Sequence, residues 1–161
     1  MRPTPDRVRE TLFNWLGQDL SGLRCLDLFA GSGALGLEAA SRGARAVVLV
    51  EHDRRAIESL RANVRMLQAE SVEVVHADAL EFLGARRGVH DVVFLDPPYS
   101  LWEQSAGTAA LLLSRLREDL APGARVYLES PAVVELPQGW QALRRARAGA
   151  VHYQLVESTS E

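Results

Sequence analysis

Lysine is absent from this 161-residue chain, and all 18 of its basic residues are arginine. Acidic residues number 21, so the formal net charge at pH 7 is −3. A chain with this overall charge has no general attraction to nucleic acid. The net charge therefore neither supports nor excludes a nucleic-acid substrate.

Cysteine and long apolar runs are also scarce. The single cysteine, Cys25, excludes an internal disulfide framework. No apolar run reaches the roughly 18 residues of a membrane span, and the N-terminus lacks the apolar core of a signal peptide. The four histidines show neither paired spacing nor cysteine partners, so we expect no metal site. These absences favour a cytoplasmic protein, which we expect by default to be a monomer.

Short apolar runs alternate with segments of helical periodicity, without repeats or Gly/Ser linkers, which predicts one domain over residues 1–161. The apolar runs predict strands at residues 24–29, 46–51, 72–75, 91–96 and 125–129. Helical spacing predicts a first helix capped by Thr4 and stopped at Gly17, and further helices over residues 34–42, 54–67, 79–83 and 109–120. Continuous apolar strands separated by helices indicate a doubly wound α/β fold with a mostly parallel sheet.

The C-terminal part of the chain departs from this alternation. Residues 140–147 and 151–157 both have strand character, and only a short turn at Gly149 separates them. Two consecutive strands without an intervening helix predict an antiparallel pair at the end of the sheet.

A glycine-rich turn follows the first predicted strand. Gly31, Gly33 and Gly36 form a G-x-G-x-x-G pattern, and Glu51 ends the second strand 20 residues after Gly31. In a Rossmann-type sheet such glycines let the backbone approach a nucleotide, and the acidic residue accepts from ribose hydroxyls. The pattern by itself fits an NAD-dependent oxidoreductase equally well.

The carboxylate of Asp27 argues against an NAD-dependent enzyme, because it lies in the strand just before the glycines. A carboxylate at this place would repel a pyrophosphate and attract an ammonium or sulfonium group. S-adenosylmethionine carries both cations and no phosphate. Asp78, which follows the third strand, is placed to accept from an adenine amino group, although a helix N-cap explains it equally well.

The segment Asp96-Pro97-Pro98-Tyr99 ends the fourth predicted strand. The two prolines stiffen the backbone, and we expect that no helix starts in this loop. The Asp96 carboxylate and the Pro97 carbonyl can only accept hydrogen bonds, so together they suit the two hydrogens of an exocyclic amino group. Accepting both hydrogens would concentrate the nitrogen lone pair for attack on a sulfonium methyl group. Tyr99 offers a ring on which an extruded base can stack.

Two groups of arginines are candidates for contact with phosphates. Arg2, Arg7 and Arg9 cluster near the predicted start of the first helix, with Thr4 among them. A second cluster lies in the C-terminal strand pair, where we interpret it as charge that keeps an edge strand soluble, and it comprises Arg144, Arg145 and Arg147.

Three blocks of the sequence resemble the bacterial 16S ribosomal RNA guanine-N2 methyltransferases. They are residues 2–16 (RPTPDRVRETLFNWL), residues 27–43 (DLFAGSGALGLEAASRG) and residues 96–99 (DPPY). The resemblance implies the seven-stranded sheet of the class I methyltransferases, S-adenosylmethionine as methyl donor without a metal, and methylation of a guanine N2 in the small ribosomal subunit. In that family a basic segment precedes the block that starts at Arg2, and we expect it to be absent from this chain.

The resemblance also assigns roles to residues. The target amine would be held by Asp96, Pro97, Pro98 and Tyr99. The cofactor pocket would be lined by Asp27, Gly31, Gly33, Glu51 and Asp78. Beyond the resemblance, we expect their neighbours Phe29, Ser32, His52 and Ala79 to line the same pocket. We also expect RNA contacts from residues near the predicted start of the first helix, namely Arg2, Thr4, Arg7 and Arg9.

Three other functions remain open at this point. A DNA or RNA adenine-N6 methyltransferase could use Asp96 to Tyr99 by the same chemistry, although a DNA enzyme normally needs an added target-recognition region. An NAD-dependent oxidoreductase explains the glycines but not Asp27. A non-catalytic module that binds S-adenosylmethionine needs neither Asp96 nor Tyr99, and both are present.

Overall fold

The computed structural model describes residues 5–85, 88–104 and 107–159. Its helices are α1 (Asp6–Leu16), α2 (Ala34–Ser41), α3 (Arg54–Met66), α4 (Ala79–Gly84), α5 (Tyr99–Gln104) and α6 (Thr108–Leu116), with a 3₁₀ turn at Arg117–Asp119. Its strands are β1 (Arg24–Asp27), β2 (Ala46–Glu51), β3 (Val72–His76), β4 (His90–Leu95), β5 (Leu120–Ser130), β6 (Trp140–Ala148) and β7 (Val151–Ser158).

The seven strands form one sheet in the order β3-β2-β1-β4-β5-β7-β6. Strands β1 to β5 are parallel to one another, whereas β7 is antiparallel to both of its neighbours, β5 and β6. The predicted doubly wound α/β fold and the C-terminal antiparallel pair are therefore confirmed. The chain order reverses between β1 and β4, which is where open α/β sheets bind ligands, at the carboxyl ends of the strands.

Each face of the sheet buries its own apolar cluster. The first cluster includes Val8, Leu12 and Phe13 of α1, which pack with β-strand residues such as Phe94 and Tyr153. The second cluster lies on the opposite face and includes residues of α4 and α6. No helix in the described ranges combines the length and the apolar character that crossing a membrane requires.

The structure corrects several predicted boundaries. Pro5 occupies the N-cap position predicted for Thr4, which lies outside the described residues, and Gly17 ends α1 as predicted. Strand β1 ends at Asp27 instead of residue 29, because the Asp27 carboxylate accepts from the Phe29 amide at 3.3 Å and turns the chain. Such a bond two residues along the chain is typical of an aspartate-initiated turn.

The prediction that no helix starts in the proline loop is wrong, since α5 begins at Tyr99, directly after Pro98. The Leu101 amide donates to the Pro98 carbonyl at 2.9 Å. A proline has the backbone φ of a helix, and the N–H that it lacks is not needed at the start of a helix. The two prolines therefore lead into a helix instead of preventing one.

The helix predicted over residues 109–120 ends earlier, at Leu116, and β5 begins at Leu120 instead of residue 125. Leucines at 112, 116 and 120 have helical spacing, which extended the prediction too far. Pro122 and Gly123, whose φ is +77°, prevent a regular helix from continuing.

Gly36, the third glycine of the pattern, is required for packing of α2 on the sheet. A Cβ at this position would collide with Leu49 Cδ2 and lie 3.2 Å from Val47 Cγ1. We expect Gly36→Ala to lower the free energy of unfolding by about 2 kcal/mol, as overpacking of a core does. Gly84→Ala is the control, because a Cβ at the end of α4 meets nothing within 4 Å. Urea denaturation of both variants measures the difference, and equal stabilities would contradict this account.

Candidate active site

Carboxylates stand at the carboxyl ends of three adjacent strands. Asp27 on β1 is paired in register with Leu49 on β2 and Phe94 on β4. Glu51 and Asp96 each lie two residues beyond those partners, so all three side chains belong to the same face of the sheet. Asp27 is 2% exposed and Glu51 is 3% exposed. The structure therefore brings together the acidic residues that the sequence predicted from separate motifs.

The glycine-rich turn is closed by Glu51. Its carboxylate accepts from the Gly31 amide at 2.9 Å and from the Asp53 amide at 3.1 Å. The turn itself needs glycine at Gly33, where φ is +88° and a Cβ would lie 2.5 Å from Leu60 Cδ1. The sequence predicted Glu51 only as a ligand-binding residue. Its two backbone bonds show that it also fixes the conformation of the turn.

A cavity of about 610 Å³ opens above these strand ends. Eight of the predicted residues line it, namely Asp27, Phe29, Gly31, Ser32, Glu51, His52, Asp96 and Pro98. Further lining residues were not predicted, and they are Ala30, Ala34, Leu35, Asp53, Ala56 and Ser59. Ala56 and Ser59 are small residues three positions apart on α3, and this spacing was the only signal for them in the sequence.

A second cavity of about 250 Å³ adjoins the first and shares four of its lining residues, Phe29, Glu51, His52 and Pro98. Asp78 and Ala79 line this smaller cavity, as do Ser100 and Leu101 of α5. The Asp78 carboxylate accepts from the Leu80 amide at 3.1 Å and caps α4, which confirms the N-cap interpretation. Its position at the cavity keeps the ligand-binding interpretation open as well.

Burial raises the pKa of Asp27 to about 7, since little water remains around its carboxylate. The hydrogen bond from the Phe29 amide acts in the opposite direction, and the nearby charge of Glu51 raises the pKa further. A buried carboxylate with this pKa has lost much of its hydration, and no basic side chain in residues 5–85, 88–104 or 107–159 forms an ion pair with it. A cation placed beside it in the large cavity would restore the charged form.

The segment from Asp96 to Tyr99 connects β4 to α5 at the rim of the large cavity. Asp96 and Pro98 are half-buried and line the cavity, whereas Pro97 is buried and Tyr99 is half-buried in the first turn of α5. Three of the residues predicted for the cofactor pocket and the target amine line neither cavity, and they are Gly33, Pro97 and Tyr99.

A buried pair on β5 lies next to Asp96 and was not predicted. The Tyr127 hydroxyl donates to the Glu129 carboxylate at 2.6 Å, and both residues are at most 5% exposed. Burial, followed by the charges of Glu129 and Asp96, raises the pKa of Tyr127 well above its usual value. Tyr127 therefore stays protonated and keeps donating to Glu129.

The candidate RNA contacts are only partly described. Arg7 is exposed on α1, while Arg9 forms an ion pair with Asp6 at 2.8 Å. Arg2 and Thr4 lie outside the described residues. Across residues 5–85, 88–104 and 107–159, no three histidine, cysteine or acidic side chains are arranged to hold a metal ion.

Known proteins resemble this chain over its whole length. Residues 1–157 match the model of a family described as Conserved hypothetical protein 95. The ribosomal RNA small subunit methyltransferase D of Escherichia coli strain K12 is 40% identical, over 100% of this chain and 81% of that protein. The tRNA (guanine(10)-N2)-dimethyltransferase of Methanothermobacter thermautotrophicus is 30% identical over 72% of this chain and 35% of its own length.

Solved structures show the same fold. The structure of yhhF from Escherichia coli matches with a TM-score of 0.88 and 40% identity, over 100% of this chain and 89% of that chain. An RNA methyltransferase from Salinibacter ruber, solved in complex with S-adenosyl-L-homocysteine, matches with a TM-score of 0.73 and 23% identity, over 96% and 92% of the two chains.

Proposed function

Because this chain belongs to the family of the ribosomal RNA small subunit methyltransferase D proteins, we propose that it transfers the methyl group of S-adenosylmethionine to the exocyclic N2 of a guanine in 16S ribosomal RNA. The observation that carries the proposal is the position of Asp96. Its carboxylate lines the same cavity as the buried Asp27, so an acceptor for an amine and an acceptor for a cation face one space.

The two cavities suit S-adenosylmethionine by their chemistry. Asp27 is the carboxylate that would attract the ammonium and sulfonium groups, since it is buried and pairs with no basic side chain of the described residues. Glu51 would accept from the ribose hydroxyls while its backbone bonds keep it in place. Asp78, in the smaller cavity, would accept from the adenine amino group. When bound, S-adenosylmethionine supplies an electrophilic methyl group.

Asp96 and the Pro97 carbonyl would hold the target amine by accepting its two hydrogens. Methyl transfer would replace the bond between the methyl carbon and sulfur by a bond to the amine nitrogen, and the electron pair of the broken bond would stay on sulfur. The methylated nitrogen would then lose one proton, for which Asp96 would be the adjacent acceptor. Tyr99, at the start of α5, would stack on the extruded base. Catalysis of this kind depends on positioning and electrostatics.

Guanine N2 is preferred to adenine N6 because of family membership, not because of the proline loop, which accepts either amine. The relative from Methanothermobacter, whose name states guanine N2 as its target, supports the same choice. Arg7, and Arg9 once released from Asp6, would contact RNA phosphates from α1, together with Arg2 and Thr4.

The deciding experiment incubates the protein with methyl-labelled S-adenosylmethionine and small ribosomal subunits that lack this modification, followed by nucleoside analysis of the RNA. Fully modified subunits and naked 16S RNA are the matched substrates. We expect N2-methylguanosine in the unmodified subunits and none in the fully modified ones, and label in naked 16S RNA would show that the assembled subunit is not required. Labelled N6-methyladenosine would replace guanine by adenine as the target, and no label in any RNA would contradict the proposed function.

Replacement of Glu51 should affect the cofactor before it affects the RNA. We expect Glu51→Gln to weaken binding of S-adenosylhomocysteine about tenfold, because the amide keeps one acceptor and loses the charge. Turnover at saturating cofactor should change much less. Isothermal titration gives the affinity, and Glu58→Gln, an exposed position on α3, is the control. Unchanged affinity would mean that Glu51 only closes the glycine turn.

A further inference from the structure

Strand β6 forms the outer edge of the sheet and carries three exposed arginines, which we call the β6 arginine edge: Arg144, Arg145 and Arg147. Arg145 donates to the Gln154 side chain at 3.2 Å, and Arg147 donates to the Gly149 carbonyl at 2.7 Å. Within the described part of the chain, none of the three arginines forms an ion pair with a carboxylate. Their charges are therefore available to a partner.

The strand register places this edge level with the candidate active site. Leu95 of β4 is paired with Leu128 of β5, and Ser130, two residues further along β5, is paired with His152 of β7. His152 is in turn paired with Arg147. Arg147 thus lies at the same end of the sheet as the Asp96 loop. Three strand spacings separate β4 from β6, which is about 14 Å.

Charge is distributed unequally along this end of the sheet. Four neighbouring strands end in a carboxylate or are followed by one. In the order β3, β2, β1 and β4, these residues are Asp78, Glu51, Asp27 and Asp96. A polyanion crossing above those strands would meet carboxylates and the cofactor cavity. On the other side, beyond the buried Glu129 of β5, the two outer strands carry His152 and Arg147 at this end of the sheet. A strand of phosphates that leaves the Asp96 loop is therefore repelled on one side and attracted on the other.

We propose that the β6 arginine edge binds the phosphate backbone of the RNA that flanks the target nucleotide. This inference rests on the proposed function for the nature of the nucleic acid. Arginine suits the task because its guanidinium binds phosphate in a bidentate way. Arg144 lies on the face of β6 that α1 approaches, and Arg145 and Arg147 lie on the opposite face, so the edge presents charge to both sides.

The edge also needs charge to avoid pairing with strands of other molecules, but charge of either sign serves that purpose. Binding of RNA requires positive charge. Acidic substitutions should therefore preserve protection against strand pairing but abolish binding of RNA, whereas neutral substitutions should weaken both.

The test compares R144Q/R145Q/R147Q with a control, R45Q/R61Q/R65Q, that removes the same charge. The control arginines are exposed, with Arg45 directly before β2 at the opposite end of the sheet and the other two in the second half of α3. Binding of unmodified small subunits and of 16S RNA is measured as a function of salt, together with kcat, KM and affinity for S-adenosylhomocysteine.

We expect the β6 variant to raise Kd and KM for RNA about 10-fold to 100-fold and to lower the slope of log Kd against log salt by about 2, as loss of two to three phosphate contacts does. Its kcat at saturating RNA and its affinity for S-adenosylhomocysteine should match the wild type. The control should change Kd by less than about threefold.

Equal effects of the two variants, or an unchanged salt slope in the β6 variant, would overturn the proposal. If the glutamine variant self-associates, R144E/R145E/R147E keeps the edge charged and repeats the comparison; normal RNA affinity in that variant would also overturn it. A wild-type protein that binds RNA through this edge but methylates none contradicts the proposed function alone. If the wild type methylates guanine and R144Q/R145Q/R147Q does so with the same KM for RNA, this inference alone is contradicted.

Discussion

Asp96→Ala is expected to reduce methyl transfer by about 10³-fold or more while leaving the affinity for S-adenosylhomocysteine within about threefold of the wild type. The reason is that Asp96 lines the cavity directly after β4, the strand next to that of Asp27. Without the carboxylate, the amine has one acceptor fewer, and its lone pair stays delocalised into the base. Single-turnover methylation and titration with S-adenosylhomocysteine measure the two quantities separately.

Asp96→Asn is the graded companion of this variant. Its amide retains one acceptor oxygen but presents two N–H donors, which oppose the hydrogens of the amine. We expect an activity between those of the wild type and the alanine variant. If binding of S-adenosylhomocysteine and turnover fall together in either variant, Asp96 belongs to the cofactor site and not to the amine site.

Asp27→Asn is expected to make the unliganded protein more stable and, at the same time, to weaken cofactor binding about 100-fold. Burial raises the pKa of Asp27 to about 7 from its ordinary value of 3.8. That difference corresponds to about 4 kcal/mol as an upper limit for the cost of ionising the buried group. The asparagine retains an acceptor for the Phe29 amide without this cost.

Ionisation of Asp27 should make the stability of the folded protein fall as pH rises. The raised pKa means that the folded protein binds the Asp27 proton more tightly than the unfolded chain does. The cost is therefore absent below about pH 4, grows between pH 4 and 7, and is complete above about pH 7. Chemical denaturation should show the stabilising effect of Asp27→Asn at pH 8 and its decline toward pH 5. An effect independent of pH would contradict the assignment.

The affinity for the cofactor is also expected to depend on the ionisation of Asp27. A bound cation favours ionised Asp27, so affinity of the wild type for S-adenosylhomocysteine is expected to rise with pH up to about 7 and to level off above it. Calorimetry in buffers of different ionisation enthalpy should detect proton release near pH 6. Both effects should vanish in Asp27→Asn, and their persistence there would show that another group titrates.

The sequence places Glu51 and Asp96 at strand ends, because short apolar runs stop at these residues. Asp27 is found from the glycines that follow it, although the predicted strand extends past it to residue 29. The G-x-G-x-x-G pattern likewise predicted a tight turn, and the collision at Gly36 supplies the physical reason for its last glycine. What is encoded locally was therefore predictable.

Contacts that depend on distant register were not predictable. The bonds from the Gly31 and Asp53 amides to Glu51 require β1 and β2 to be aligned first. The Tyr127–Glu129 pair reaches Asp96 only through the register of β4 and β5, which contains an irregularity between His90 and Val92. The helix after Pro98 has a different explanation, since proline prevents a helix from continuing but is compatible with its start.

The insertion of β7 between β5 and β6 has a consequence for how the protein is made. Strand β6 is synthesised before β7, and within the described part of the chain β7 is its only partner strand, so β6 cannot join the sheet until β7 has left the ribosome. Val151, Tyr153 and Leu155 of β7 also complete the core beneath α1. A partly synthesised chain could form the parallel strands and the glycine turn, yet it would expose the edge of β5 and lack the arginine edge. The RNA-binding edge that we propose on β6 would therefore form last, after the parallel strands that carry the candidate active site.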